Sequence, residues 1–93
     1  MKIEQQDDGK RGSFFIELDG KELAKMTYTW AGPNKFIIDH TEVDDELRGK
    51  GAGKKMVLEA VTFARENEKK IMPLCPFANS IFKKVPEIRD VLF

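Results

Sequence analysis

The chain has 93 residues and a mass of 10.7 kDa, and its 41% apolar residues are enough for one modest hydrophobic core. Sixteen basic and sixteen acidic residues give a formal net charge of zero, so the overall charge favours neither nucleic acid nor an anionic membrane as a partner. The single cysteine excludes an internal disulfide, and no apolar run approaches the roughly 20 residues that span a bilayer. We therefore expect one cytoplasmic domain over residues 1–93.

Period-two patterns and turn residues in the first 45 residues predict a meander of strands. The strands are expected over residues 13–18, 21–30 and 36–43. The first two are joined by Asp19-Gly20, a pair typical of a tight hairpin turn, and the second ends at Gly32-Pro33-Asn34. The third strand begins as a core element, but its second half is polar, which suggests that those side chains serve a function.

From residue 54 the apolar spacing changes to a helical period, which predicts a helix over 54–67. A strand over 69–74 follows, so that strand, helix and strand form a right-handed crossover between parallel neighbours. Pro76 is suited to the first position of a short helix with Cys75 as its N-cap, and Pro86 ends that helix. Its inward side chains are expected to be Phe77, Ile81, Phe82 and Val85. The pattern predicts an α+β (or α/β) fold: a mixed, mostly antiparallel sheet, one crossover helix and a short C-terminal helix.

A glycine-rich loop over residues 48–54 lies between the third strand and the longest helix. Its three alternating glycines let backbone N–H groups approach a ligand closely, and the helix N-terminus adds partial positive charge. Lysines and an arginine supply further donors for a polyanion such as a pyrophosphate. The alternative is a glycine-rich helix start with solvated lysines. The loop fits neither the Walker pattern, since no hydroxyl residue follows Lys54, nor the spacing of the dinucleotide pattern.

The loop does satisfy the acyl-CoA signature Arg/Gln-x-x-Gly-x-Gly/Ala, with Arg48, Gly51 and Gly53, after a strand that ends at Val43. In this it resembles the GNAT superfamily of acetyl-CoA-dependent N-acetyltransferases. Blocks over 39–43, 73–77 and 84–87 occur in the same order and make it similar to the short YjdJ-type group, the mini-GNATs. The resemblance implies a minimal GNAT fold in which the strands ending at Val43 and Leu74 splay apart to form an acetyl-CoA cleft.

The resemblance also implies that acetyl-CoA is a co-substrate, that no metal takes part, and that an amine, either a small molecule or a protein, accepts the acetyl group. Backbone groups of the loop would hold the CoA pyrophosphate, and the backbone of Val43 would contact the pantetheine arm. Asn79 could bond the pantetheine or merely support its helix. The expected donor-binding residues are Val43, Arg48, Gly49, Lys50, Gly51, Ala52, Gly53, Lys54 and Asn79.

Three side chains are candidates for the chemistry. His40 and Glu42 share one face of the third strand, and either could accept a proton from the amine. The alternatives are a histidine bonded within the sheet and a solvated carboxylate, and for Glu42 the solvated carboxylate is favoured. Cys75, at a helix N-cap, could protonate CoA or carry the acetyl group. A lone cysteine is more often a small buried apolar residue, but the resemblance places this one beside the thioester.

The sequence departs from the larger GNATs, which often have Tyr-x-Lys near the last helix. The closest match here, Phe82-Lys83-Lys84, has no hydroxyl, and Tyr28 lies in an early strand. We therefore expect the usual tyrosine acid to be absent, with Cys75 as its substitute. A second hypothesis keeps the loop and drops the catalysis: a CoA or acyl-CoA-binding module that acts as a sensor or interaction domain.

Overall fold

The computed structural model describes residues 1–93 and contains one five-stranded sheet with the strand order β1-β2-β3-β4-β5. The strands are β1 (Glu4–Asp7), β2 (Arg11–Leu18), β3 (Lys21–Trp30), β4 (Lys35–Val43) and β5 (Lys70–Pro73). The helices are α1 (Ala52–Glu66) and α2 (Pro76–Lys84), with 3-10 turns at Asp45–Leu47 and Pro86–Val91. Strands β1 to β4 pair antiparallel, and β5 pairs parallel with β4. The predicted mixed sheet, crossover helix and short C-terminal helix are confirmed.

The N-terminal strand is an addition to the predicted elements. Its four residues, Glu-Gln-Gln-Asp, have no apolar alternation, so nothing in the local pattern indicates a strand. Antiparallel pairing with β2 recruits them instead. The predicted hairpin turn is confirmed, because Asp19 and Gly20 both have positive φ, 52° and 78°, as a primed turn requires.

Helix α1 covers one face of the sheet with small and branched side chains. The helix residues buried there are Ala52, Gly53, Met56, Val57, Ala60, Val61 and Ala64. Under its C-terminal half lies a cluster of aromatic rings in mutual contact, made by Phe14, Tyr28, Trp30, Phe36 and Phe63. Helix α2 packs against α1, β4 and β5, so no helix covers the opposite face of β1–β3. The sheet therefore has a covered face and an open face, and none of the helices has the length and apolar character to span a bilayer.

A β-bulge in β4 decides which of its side chains reach each face. Thr27 pairs with His40 and Tyr28 pairs with Ile38, so Asp39 is an extra residue in β4. Before the bulge, Ile38 faces α1, and after it Thr41 does, since Thr41 lies opposite the buried Met26. His40 and Glu42 consequently project from the open face. They share one face, as predicted, but the bulge sets which face that is.

The predicted splay forms where β5 ends. Pairing of β4 with β5 stops at Ile38, whose carbonyl accepts a hydrogen bond from the Cys75 N–H at 3.0 Å. The chain then turns into α2, and the edge of β4 beyond the bulge has no strand partner. Cys75 is the N-cap of α2, as predicted, but Phe77 does not face the core: it is 40% exposed. Ile81 and Phe82 are buried as expected, and Val85 is half-buried.

Candidate active site

A cleft of about 500 Å³ opens where β4 loses its partner. Its walls come from three segments: the end of β4, with Thr41 and Val43; the glycine-rich loop; and the first turns of α2, with Phe77 and Ile81. Most of the residues that the sequence assigned to donor binding therefore do line one cleft. It reaches from the N-terminus of α1 to the unpaired edge of β4.

The glycine-rich loop presents backbone donors that no protein group uses. Gly49 and Gly51 have φ of 80° and 72°, which orients the chain so that the N–H groups of both glycines are left free. The first three N–H groups of α1 also lack an acceptor in the protein. Gly51, the N-cap, has no side chain to cap them, and the first turn holds Lys54 and Lys55 instead of an acidic residue. Cations at this end oppose the helix dipole, so the loop is suited to binding an anion.

Gly53 is needed because a side chain there would collide with a neighbour, and not because of its backbone conformation. Its φ is not in the left-handed region, but a Cβ built on it would lie 2.5 Å from the Phe77 ring. The absence of a side chain at Gly53 therefore lets Phe77 lie across the start of α1 and form part of the cleft wall. The spacing of Phe77 matches the inward face of α2 and predicted a core position, which is wrong. Its position only two residues after Cys75 is the signal that could have assigned it to the site.

Cys75 lies at the point of the splay with its sulfur 3.4 Å from the Thr41 hydroxyl oxygen, and the residue is 5% exposed. Burial raises the pKa of the thiol, but the Thr41 hydroxyl and the backbone N–H groups of Ala78, Phe77 and Thr41 outweigh it, so the pKa lies below its ordinary value. The N–H groups of α2 act on the sulfur mainly as aligned dipoles, because none of them makes a full hydrogen bond to it. The thiolate is thus favoured by its surroundings.

Thr41 is a site residue that sequence reasoning did not assign. It is half-buried, it lines the cleft, and its hydroxyl contacts Cys75. The N–H of Asp44 donates to Leu23 in β3, so alternation along the strand directs the backbone groups of Val43 and Thr41 away from β3 and into the cleft. These are the groups that an extended ligand chain would meet along the edge of β4.

His40 and Glu42 contact each other on the open face. The His40 Nε2 and the Glu42 Oε1 are 3.0 Å apart, and the side chains are 65% and 77% exposed. The bond to Glu42 is the one hydrogen bond that the His40 side chain makes, and neither side chain is hydrogen-bonded to Cys75. Cys75 itself does not line the cleft, but Thr41, whose hydroxyl contacts its sulfur, lines it together with the loop. The His40–Glu42 pair lies on the other face of the same strand.

The remaining candidates differ in how closely they approach the cleft. Arg48 lines it and pairs with Asp45 at 2.6 Å, whereas Lys50 is exposed beside it. Asn79 is half-buried, does not line the cleft, and bonds through its backbone N–H to the Cys75 carbonyl. Tyr28 is buried among the aromatic rings, and burial followed by its bond to an aspartate raises the pKa of its hydroxyl. It is not placed to act as an acid in the cleft.

Comparisons with known proteins agree with this geometry. Residues 13–91 match the model of the GCN5-related N-acetyltransferases, and the chain belongs to that family. It is similar to Protein NATD1 of Xenopus tropicalis, 31% identical over 85 residues, which cover 90% of this chain and 78% of that protein. A GCN5-like protein from Staphylococcus aureus, solved by NMR, has a TM-score of 0.77 and 38% identity, covering 99% of this chain and 87% of the other.

The fold is shared with a protein from Clostridium acetobutylicum that is described as a predicted acetyltransferase and was solved with acetyl-CoA. The TM-score is 0.65 at 18% identity, and the match covers 83% of this chain and 57% of the other. The resemblance to GNAT enzymes is therefore confirmed, together with the fold and the assignment to an acetyl-transferring enzyme. Acetyl-CoA binding is implied by this fold. The comparisons do not identify the amine that accepts the acetyl group.

Proposed function

We propose that the cleft holds acetyl-CoA along β4 and that the enzyme moves the acetyl group to a primary amine, with Cys75 as the proton donor to the leaving sulfur. The observation that carries this proposal is the continuity of the cleft. The free N–H groups of the glycine-rich loop lie along the cleft, Thr41 with Cys75 behind it lies on the cleft wall, and the unpaired edge of β4 connects them.

Donor binding would use backbone groups more than side chains. The free N–H groups of the loop fit the oxygens of a pyrophosphate, and Arg48 and Lys54 add charge at the rim. The backbone groups of Thr41 and Val43 would pair with the amides of the pantetheine arm, as an added strand would. Asn79 would support only the start of α2, because its backbone N–H makes the helical hydrogen bond to the Cys75 carbonyl and its side chain does not line the cleft.

Transfer requires one proton to leave the amine and one to reach the CoA sulfur. The amine nitrogen attacks the thioester carbonyl carbon, a C–N bond forms, and the C–S bond breaks. His40 would take the amine proton: with its Nε2–H donated to Glu42, Nδ1 is the free acceptor. The Cys75 thiol would give its proton to the leaving thiolate, helped by the groups that stabilise the ionised cysteine. Solvent then returns a proton to Cys75 and removes the one on His40, so the protein is unchanged by the cycle.

Intact-protein mass spectrometry after incubation with acetyl-CoA tests this assignment. Under native conditions we expect a CoA-mass adduct on the wild type. Cys75→Ala and Cys75→Ser should form the same adduct, because neither substitution changes the loop. Gly51→Glu, which places a negative charge at the anion site, should lose the adduct. If Gly51→Glu binds as well as wild type, the cleft is not the donor site.

Turnover and covalent chemistry separate the possible roles of the cysteine. If Cys75 is the acid, Cys75→Ala keeps its affinity for CoA and loses most of kcat. The wild type then shows no acetyl mass after denaturation. An acetyl mass that survives denaturation and disappears in Cys75→Ala would instead make Cys75 an acyl carrier. CoA binding with no transfer to any amine in a broad panel would favour the binding module over the enzyme.

A further inference from the structure

A second concavity, of about 640 Å³, lies on the open face of the sheet. It is formed by β1, β2 and β3 together with Asp39 of the bulge, and it shares no lining residue with the acetyl-CoA cleft. We call it the open-face trough. The trough exists because the side chains at its centre, Ser13, Thr27 and Thr29, are small.

The strand register aligns polar side chains across the trough. Gln6 lies opposite Ser13, Ser13 opposite Thr27, and Thr27 opposite His40. Neighbouring strands are about 4.8 Å apart, so this row extends for roughly 14 Å from the edge of the sheet to His40. It ends at the side chain proposed to accept the amine proton.

Three side chains of this row, those of Gln6, Ser13 and Thr27, have hydrogen-bonding groups without partners in the protein. Ser13 is the one polar residue among the buried residues, 5% exposed, and its hydroxyl makes no hydrogen bond within the protein. No fully buried side-chain polar atom lacks a partner, so the Ser13 hydroxyl is accessible and opens into the trough. The hydroxyl of Thr27 and the side-chain amide of Gln6 are likewise unbonded, although both side chains line the trough. Unbonded groups that open into one concavity are free to bond a ligand or an ordered water there.

The charges around the trough restrict what it can bind. Three carboxylates line the trough, those of Asp7, Asp8 and Asp39. Asp7 and Asp8 accept hydrogen bonds from several protein groups, whereas Asp39 accepts one, from Thr29 at 2.7 Å, and has no cationic partner, so it is the carboxylate most available to an ammonium group.

Two cationic side chains also line the trough. Arg11 makes no ion pair, and Lys25 makes a loose one, with its Nζ 3.8 Å from the Glu22 carboxylate. Three carboxylates and two cations leave the lining with a single net negative charge, which one ammonium group balances. The site is therefore better suited to a monoamine with several hydroxyl groups than to a polyamine.

We propose that the open-face trough is the acceptor site and binds a small hydroxylated monoamine of the amino-sugar or amino-alcohol class, with its hydroxyls on Ser13 and Thr27 and its amine directed to His40. This inference rests on the proposed function, because it takes the unpaired edge of β4 as the place of transfer. Donor and acceptor then approach that edge from opposite faces of the sheet.

An NMR titration of the full chain, with and without acetyl-CoA, tests the proposal against matched probes. Glucosamine carries an amine and several hydroxyls on a six-membered ring, cyclohexylamine carries the amine alone, and spermidine carries three amines. We expect glucosamine to shift the amide signals of Ser13, Thr27 and His40, and to bind about fivefold more weakly to Ser13→Ala and to Thr27→Val. Thr62→Val, which removes an exposed hydroxyl on α1, is the control and should bind as wild type does.

Cyclohexylamine should bind weakly and with the same affinity to wild type and to the Ser13→Ala, Thr27→Val and Thr62→Val variants, since it has no hydroxyl to bond with theirs. In acetyl transfer, the two trough variants should raise KM for glucosamine and leave KM for acetyl-CoA unchanged. Removing an unbonded hydroxyl should not unfold the protein, and Thr27→Ser retains the hydroxyl as a rescue of Thr27→Val. Signal shifts by glucosamine outside the trough, unchanged affinity in both variants, or tighter binding of spermidine would overturn the proposal.

The same spectra distinguish this failure from failure of the proposed function. Acetyl-CoA should shift the amides of Gly51 and Gly53, which belong to the donor loop. If it does and glucosamine shifts no trough amide, the donor site stands and the acceptor site is wrong. If acetyl-CoA leaves the loop amides unchanged, the proposed function fails, and the trough is judged on the glucosamine shifts alone.

Discussion

Gly51 and Gly53 lie two residues apart in the donor loop, and the structure predicts opposite consequences for adding a methyl group at each. Gly51 has a φ of 72° with open space around it, so Gly51→Ala meets no atom but is strained. Left-handed backbone costs an L-residue about 1–2 kcal/mol, and the lower entropy of the unfolded chain returns about 0.4–1 kcal/mol. We expect Gly51→Ala to lower the free energy of unfolding by about 1 kcal/mol, a loss of roughly 4–8 °C in Tm.

Gly53→Ala should be close to neutral for stability. Its φ is ordinary, and alanine is favoured over glycine in a helix by up to about 1 kcal/mol. The new Cβ meets the far end of the Phe77 side chain at 2.5 Å, and that side chain is 40% exposed and free to move. The displaced ring must enter the cleft or leave its wall. We therefore expect unchanged stability within about 0.5 kcal/mol and a severalfold weaker affinity for acetyl-CoA.

Urea unfolding and calorimetric titration with acetyl-CoA measure the two effects separately. Phe77→Ala removes the ring, so Gly53→Ala should have little further effect on affinity in that background, which a double-mutant cycle tests. Gly51→Ala should behave identically with and without Phe77. If Gly53→Ala is as destabilising as Gly51→Ala, or if its effect on affinity persists without Phe77, the argument from the ring is wrong.

Three further predictions concern the thiol and a buried contact. Thr41→Val should shift the appearance of the Cys75 thiolate absorbance at 240 nm to higher pH, because a hydrogen bond to the sulfur is lost. Thr41→Ser keeps the hydroxyl and should titrate as wild type does. Tyr28, the only tyrosine, has a raised pKa and does not interfere. Because the thiol pKa is lowered by folding, the unfolded chain binds more protons across the titration, so the stability of wild type relative to Cys75→Ala should rise with pH. A falling difference would contradict the lowered pKa. Gly12→Ala should cost roughly 1–3 kcal/mol in urea unfolding, because its Cβ overlaps the Tyr28 ring, which is 1% exposed and cannot move as Phe77 can; a neutral result would refute this contrast.

The two faces of β4 divide the proposed chemistry. Thr41 and Val43 direct side chains and backbone toward the cleft, and His40 and Glu42 lie on the uncovered face. The unpaired edge of β4 can therefore be reached from both the covered and the open face of the sheet. In the proposed arrangement, this one strand would position both the acetyl donor and the amine acceptor.

Local sequence determined much of the fold. The helical period of α1, the Asp19-Gly20 turn and the Cys75-Pro76 helix start are all set by residues near one another in the chain, so each could be predicted from its own segment. The same holds for the glycine-rich loop, whose spacing carried the family assignment. Each of these features depends on backbone preferences that neighbouring residues specify.

Tertiary structure alone decided the rest of the candidate site. The bulge at Asp39 arises from the register between β3 and β4, and it turns His40 and Glu42 to the open face. Thr41 became a site residue only because α2 brings Cys75 to within 3.4 Å of it. The exposure of Phe77 and the row through Ser13 likewise depend on contacts between segments distant in sequence. Pairing register and helix docking are long-range contacts, and the pattern of a single segment does not encode them.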